Sequence, residues 1–282
     1  MTAAPKLNPT YLYFHGGPGL SSFPDQALMK HLCGEFHVEY WNEPSNLRPQ
    51  VADHFEVDQA FRNWMASAEN FVLKQWMKET GPIYLVAHSF SCLPILQIAK
   101  RHETKINGVL LISPILDLAR TFRRAIRWAQ IDLAKSKSPV VREVEDHLKA
   151  SKEPFDPAMI QALEYALADG EMLLHYWKNR ETMESWQSVL VSDARAGVDL
   201  RAWKAVLEDL YWEHSYLRVE PLSVPVSIIA GMDDHFSDRP QIEEFLRLNP
   251  HCRYESWAGC GHFPHLEDAE EFGRSLYGLY RM

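Results

Sequence analysis

Cysteine is scarce, with four in 282 residues: Cys33, Cys92, Cys252 and Cys260. None pairs as C-x-x-C and none has metal-ligand spacing. The start, Met1 to Asn8, shows no basic segment followed by an apolar one, so no signal peptide is expected. Together these read as reduced thiols in a cytoplasmic protein. No metal and no cofactor is implied. Positive charge is also short: Lys and Arg number 29 against 38 Asp and Glu, a formal net charge of −9. That argues against a nucleic-acid partner. No apolar run approaches the roughly 20 residues of a membrane span. Internal repeats and low-complexity segments are absent too. What remains is ordinary globular composition, 46% hydrophobic and 24% charged. It suits one large α/β domain, or such a domain with an insertion, acting on a small molecule. Oligomeric state is not legible.

What is present is alternation of short apolar runs and helical patterns. Tyr11 to His15, Phe36 to Trp41, Ile83 to Ala87, Ile106 to Ile112, Val224 to Ala230 and Cys252 to Trp257 read as buried strands. Ser21 or Ser22 can cap a helix with Pro24 in its first turn and Asp25 at its positive end. Val57 to Lys78 repeats Phe61, Trp64, Met65, Ala68, Phe71, Val72, Gln75 and Trp76 at helical spacing. Leu93 to Arg101, Gln241 to Leu248 and Glu267 to Tyr280 are further helical patterns. From about Leu118 to Tyr216 no strand is convincing. That stretch is helical and holds five of the nine tryptophans. Strand-helix alternation on both sides of a helical insert predicts a mostly parallel sheet with an inserted cap. The expected division is a core in two parts, 1–117 and 217–282, around a cap at 118–216.

In such sheets ligands bind beyond the carboxyl ends of the strands. Gly16-Gly17, Ser89, Ser113, Gly231 to Asp234 and Gly259 to His262 all follow a predicted strand and should converge on one rim. Ser89 lies between the strand ending at Ala87 and the helix from Leu93. A serine on a sharp strand-to-helix turn is exposed near a helix N-terminus, as a nucleophile should be. It needs a base and an acid that orients the base. His262, in a glycine-rich loop after the last strand, is the candidate base, with His265 three residues on. Asp233 and Asp234 both qualify as the acid, and adjacent side chains diverge, so only one can face the histidine.

The order Ser, Asp, His resembles the α/β-hydrolase superfamily. The His15-Gly16-Gly17-Pro18-Gly19 loop and the segment Gly261-His262-Phe263-Pro264-His265-Leu266-Glu267 carry the same resemblance. It covers nearly the whole chain, the cap least well. It implies Asp234 rather than Asp233 as the acid, with the backbone N–H groups of Gly17 and Phe90 as oxyanion donors. A serine at the elbow speaks against the chemistry of haloalkane dehalogenases and epoxide hydrolases, where a carboxylate attacks. Three features depart from the family pattern. The elbow is Ala87-His88-Ser89-Phe90-Ser91, without the usual flanking glycines. The loop from Trp41 to Arg48 has no glycine. The two leading strands are missing, so about six strands are expected.

The expected reaction is hydrolysis of a carboxylic ester or thioester of a small, fairly apolar substrate through an acyl-enzyme on Ser89. The His15 to Gly19 loop also looks like that of proline iminopeptidases, which bind a free amine with acidic cap groups. The segment Glu181 to Val191, with Glu184 and Trp186, offers candidates for such groups. An aminopeptidase is therefore one alternative. A non-catalytic binding protein on the same scaffold is another. Cap aromatics such as Trp128, Trp177 and Trp186 are candidates to line a substrate pocket, although packing inside a helical insert explains them as well. Arg120, Arg123, Arg124 and Arg127 share one helix face, which reads as solvated or as a patch for an anion. Asp117 is a back-up acid position of the superfamily. His88, Cys92 and Cys260 read as packing.

Overall fold

The computed structural model describes residues 8–30, 36–44, 59–79, 81–136, 141–152, 156–169, 171–212 and 219–281. Six strands form one parallel sheet: β1 (Thr10–Phe14), β2 (His37–Trp41), β3 (Ile83–His88), β4 (Gly108–Ile112), β5 (Val226–Gly231) and β6 (Arg253–Trp257). Their order is β2-β1-β3-β4-β5-β6, and every adjacent pair is parallel. β1, β3 and β4 are buried throughout, as continuous apolar runs of a sheet covered on both faces should be. Side chains alternate between the faces. Leu12 and Phe14 join one core cluster with Phe61, Trp64 and Ile95. Tyr11 and Tyr13 join the other with Phe272 and Leu276.

The first cluster is covered by α2 (Ala60–Lys78), α3 (Cys92–Arg101) and α9 (Arg239–Leu248). The second lies beneath α10 (Pro264–Glu267) and α11 (Ala269–Tyr280), with Met29, just past α1 (Phe23–Leu28), also in it. Between β4 and β5 the described residues contain no strand. They form α4 (Leu118–Ser136), α5 (Val141–Ala150), α6 (Pro157–Asp169), a 3-10 segment Glu171–Tyr176, α7 (Arg180–Ser192) and α8 (Leu200–Trp212). Phe122, Leu163 and Val206 of this segment are buried in the first core cluster. The expected boundary at 216–217 lies outside the described residues. So do Cys33, Arg48, Val57 and the start Met1 to Leu7. No helix among the described residues is long and apolar enough to cross a membrane.

Three expectations about local structure are corrected. Ser22 occupies the cap position of α1, but its hydroxyl does not cap the helix. It donates to Asn42 Oδ1 at 3.0 Å and accepts from Gln26 Nε2. The final helix is broken at Asp268, whose side chain accepts from Glu271 N and caps α11 afresh. The Glu267 carboxylate just before the break accepts from the amides of Gly261, Lys178 and Asn179. β4 and β5 each start two residues later than their apolar runs. Asn107 has turned its side chain to accept from Ile83 N, and Pro225 has no N–H to give a ladder.

The chain runs from β1 outward to β2, then back past β1 to β3. The direction of winding reverses there, and a crevice opens beyond the carboxyl ends of β1 and β3. Gly16-Gly17 and Ser89 lie at its two lips.

Candidate active site

Ser89 follows β3 directly and opens a 3-10 turn, Ser89–Ser91, that runs into α3. Its φ is +56°, a strained value for a residue with a Cβ. The neighbours fit without the usual glycines. Ala87 is fully buried and small, and the Ser91 hydroxyl donates to the carbonyl of His15 at the end of β1. A glycine at 91 could not make that bond. Ile115 N donates to Ser89 O at 3.2 Å, which ties the turn to the segment after β4.

The Ser89 hydroxyl donates to His262 Nε2 at 2.8 Å. His262 Nδ1–H donates to the Asp234 carboxylate, 3.0 Å from Oδ1 and 2.9 Å from Oδ2. Asp234 Oδ1 also accepts from the backbone amides of Phe236 and Ser237, at 2.8 and 3.0 Å. Burial pushes the Asp234 carboxyl up. The adjacent His262 and the two amides outweigh it, so its pKa is below the usual carboxylate value. The backbone of His262 is held at both ends. Its N–H donates to Tyr176 O at 2.7 Å, and its carbonyl accepts from His88 Nε2 at 2.8 Å. Tyr176, Phe236 and Phe263 surround its ring with centroids 5.2 to 5.9 Å away.

Gly16 and Gly17 form the opposite lip. A Cβ on Gly16 would lie 2.8 Å from His88 Nδ1, and Gly17 has φ +131°. Only glycine fits either position without displacement or strain. The amide of Phe90 is at the start of the 3-10 turn, where no intrahelical acceptor exists.

Above Ser89 is a cavity of about 420 Å³. Its floor is Gly16, Gly17, Ser89, Phe90 and His262. Its walls come largely from the helical segment, including Leu163, Met172, Trp177, Trp186 and Trp203. No Asp, Glu, Lys or Arg lines it among the described residues. Thr121 is among its few polar groups, and its hydroxyl is spent on Phe236 O.

The other candidates fall elsewhere. Asp233 points away from His262, toward Lys178 Nζ at 3.4 Å. Asp117 is exposed and accepts from Arg120 N at the start of α4. Trp128 does not line the cavity; it packs on His175 and His235 at 4.7 and 4.6 Å. Glu184 is exposed and bonded to Arg180. Of the four arginines, Arg120 and Arg124 are only half-exposed and pair with Asp238, and Arg124 also reaches His235 O. They fasten α4 to the loop that carries Asp234. Arg123 and Arg127 are exposed. Cys92 is buried and donates to Ala87 O, and burial pushes its thiol well up. Burial, with nearby carboxylates, pushes the Cys260 thiol up to about 11.

One further cluster was not legible in the sequence. Asp25, His88 and His265 bring potential metal-ligand atoms within 4.8 Å of one another. Several of their atoms are already engaged, whereas Nδ1 of His88 and Nδ1 of His265 have no hydrogen-bond partner among the described residues. Asp25 Oδ2 accepts from Tyr13 Oη at 2.6 Å, and Oδ1 accepts from Trp186 Nε1 at 2.9 Å. Tyr13 Oη accepts in turn from His265 Nε2 at 2.9 Å. These bonds form a buried network that joins α1, β1, α7 and α10. Burial raises Asp25 to about 6, against the lowering effect of its two donors. Burial, helped by His262, lowers His265 to about 3, so its ring is neutral.

Residues 15–274 match the alpha/beta hydrolase family. The chain belongs to that family. No curated protein matches it. Solved structures that resemble this alpha/beta hydrolase share its fold at low identity. One is the 2-hydroxy-6-oxo-6-phenylhexa-2,4-dienoate hydrolase of Rhodococcus sp. strain RHA1, with TM-score 0.66 and 15% identity over 98% of this chain and 91% of that one. Another is a thermophilic esterase from Thermogutta terrifontis, at 0.59 and 17% over 98% and 90%. A third is the proline iminopeptidase of Mycobacterium smegmatis, at 0.59 and 15% over 98% and 93%.

Proposed function

We propose that this alpha/beta hydrolase cleaves an uncharged, largely apolar carboxylic ester or thioester through an acyl-enzyme on Ser89. The observation that carries the reading is the Ser89–His262–Asp234 hydrogen-bond chain at the floor of a cavity that no Asp, Glu, Lys or Arg lines among the described residues. Residues 118–216 act as the cap that closes over the substrate.

The steps follow from the geometry. Ser89 Oγ attacks the acyl carbonyl as its proton passes to His262 Nε2. Asp234 holds the Nδ1–H and stabilises the imidazolium that forms. The carbonyl oxygen gains charge and is received by the N–H groups of Gly17 and Phe90. The intermediate collapses, and the alcohol or thiol leaves with the proton from His262. Water then attacks the acyl-enzyme and gives a proton to His262, which passes it to Ser89 Oγ as the acid is released.

An aminopeptidase must bind an ammonium group. Burying one in an apolar cavity that no carboxylate lines among the described residues is costly. Of the candidates in Glu181 to Val191, Glu181 and Glu184 are exposed, and Glu184 is paired with Arg180. The ester reading therefore stands ahead.

The test is a panel of p-nitrophenyl and thio esters with a fluorophosphonate label, set against a prolyl amide with a free amine. Ester cleavage lost in Ser89→Ala, with label on Ser89 alone, supports the reading. Label on another residue sinks it, and so does full activity in Ser89→Ala. Preference for the free-amine prolyl substrate would restore the aminopeptidase.

A further inference from the structure

Trp186 forms part of the cavity wall and is itself held from behind. Its indole ring is 5.6 Å from Phe263, the residue after His262, and 5.7 Å from Trp177. Trp177 stacks on Phe263 at 4.1 Å with nearly parallel planes. These three rings shape the side of the cavity beside the base. Stacking alone lets a ring slide and tilt. The Trp186 ring is aimed by one directional bond, Nε1–H to Asp25 Oδ1 at 2.9 Å.

Asp25 has no part in the serine chemistry, yet it is 2% exposed. A buried carboxylate is expensive unless its lone pairs are met. Here each oxygen takes one donor from a different layer of the fold. Trp186 comes from α7 in the helical segment, and Tyr13 comes from β1 in the sheet. Among the described residues no Lys or Arg is bonded to it, and the nearby His265 ring is neutral. The arrangement is therefore not an ion pair. It is a fixed acceptor that ties the buried Trp186 ring to the central sheet. Through Tyr13 the same network reaches His265, whose ring packs on His88 at 4.7 Å, and His88 holds the carbonyl of His262.

We propose that Asp25 is a positioning residue for substrate selection: it aims the Trp186 indole and so sets the width of the cavity beside Phe263. The kinetic arm of its test rests on the acyl-enzyme reading of Ser89; the spectroscopic arm does not.

Asp25→Leu removes the acceptor at similar size. Asp25→Asn keeps an oxygen toward Trp186 and turns an amide toward Tyr13, whose hydroxyl can then donate to His265. Trp186→Phe keeps an aromatic wall without the N–H. Labelling rates of Ser89 are compared for an ethyl and an octyl alkyl fluorophosphonate. The octyl-to-ethyl ratio should shift by roughly tenfold in Asp25→Leu and Trp186→Phe, as expected for a change of one well-placed pocket group, and return close to wild type in Asp25→Asn. A merely structural role would lower stability and leave the ratio alone. An unchanged ratio in Asp25→Leu overturns the proposal. If that variant does not fold, an unchanged ratio in Trp186→Phe does so. Independently, the Trp186 indole proton of the wild-type protein, assigned by its loss in Trp186→Phe, should exchange slowly with solvent. Exchange at the rate of a free indole overturns the pairing. If the probes label nothing while that proton is protected, the acyl-enzyme reading fails and the Asp25–Trp186 pairing stands.

Discussion

Replacing Asp25 with asparagine removes one ionisable group from the sealed network and little else. The folded carboxyl holds its proton up to about 6, whereas the ordinary value is 3.8. Between those two values the folded chain binds more protons at this site than the unfolded chain does. Stability therefore falls as pH rises through that window, the reverse of a salt-bridged carboxylate. Above the window the loss levels off. At about 1.4 kcal/mol for each tenfold change in proton affinity, the rise from 3.8 to about 6 means that the ionised carboxylate costs about 3 kcal/mol at neutral pH. Asparagine has no charge to desolvate, and its amide can satisfy the same partners. The assay is urea unfolding of both proteins at pH 4, 5, 6, 7 and 8. Other titrating groups are common to both and cancel in the difference. The stability of Asp25→Asn relative to wild type should grow by about 2 kcal/mol from pH 4 to pH 7 and then stay flat, a gain of roughly 4 °C in Tm for a chain of this length. A difference that does not vary with pH would show that Asp25 keeps an ordinary pKa, and the argument from its burial would fall.

Asp234→Asn should cut kcat by roughly 10³-fold or more, because His262 loses the acceptor that selects its tautomer. Asp117→Asn should stay within about twofold of wild type in the same kinetic assay, since Asp117 caps α4 and does not reach His262. Ser91→Ala should lower stability in denaturant by about 1–2 kcal/mol, because the buried His15 carbonyl loses its hydroxyl donor. Asp238→Ala should destabilise the folded protein and lower kcat together, since Arg120 and Arg124 then lose the carboxylate that joins α4 to the loop carrying Asp234. Unfolding curves beside steady-state kinetics would separate the two effects.

The strands and the order of the site were legible because they depend on local pattern. Ile83 to Ala87 is apolar without interruption, and a strand covered on both faces needs that. Glycines at 16 and 17 announce a close approach and a positive φ, and the structure has both. The helix from Ala60 repeats its apolar residues at three and four, and Ala60, Phe61, Trp64, Met65, Ala68, Val72 and Gln75 are buried. Side-chain partners were less legible. Ser22 looked like a cap, but Asn42, 20 residues away, took its hydroxyl. The arginines of α4 looked like a solvated or anion-binding face until Asp238 stood opposite two of them.

Sequence alone determined the α/β alternation, the helical insert and a serine, an aspartate and a histidine each following a strand. Local periodicity and the order of motifs along the chain carry all of these. Tertiary structure alone decided that no Asp, Glu, Lys or Arg among the described residues lines the cavity, that Trp128 lies outside it, and that Ser91 binds the His15 carbonyl beside the elbow. It alone joined Asp25 to Trp186 across 161 positions of chain. A hydrogen bond or a pocket wall depends on which distant side chains arrive within about 3–4 Å of one another. No periodicity in the sequence encodes that meeting; the packing of the helical segment on the sheet does.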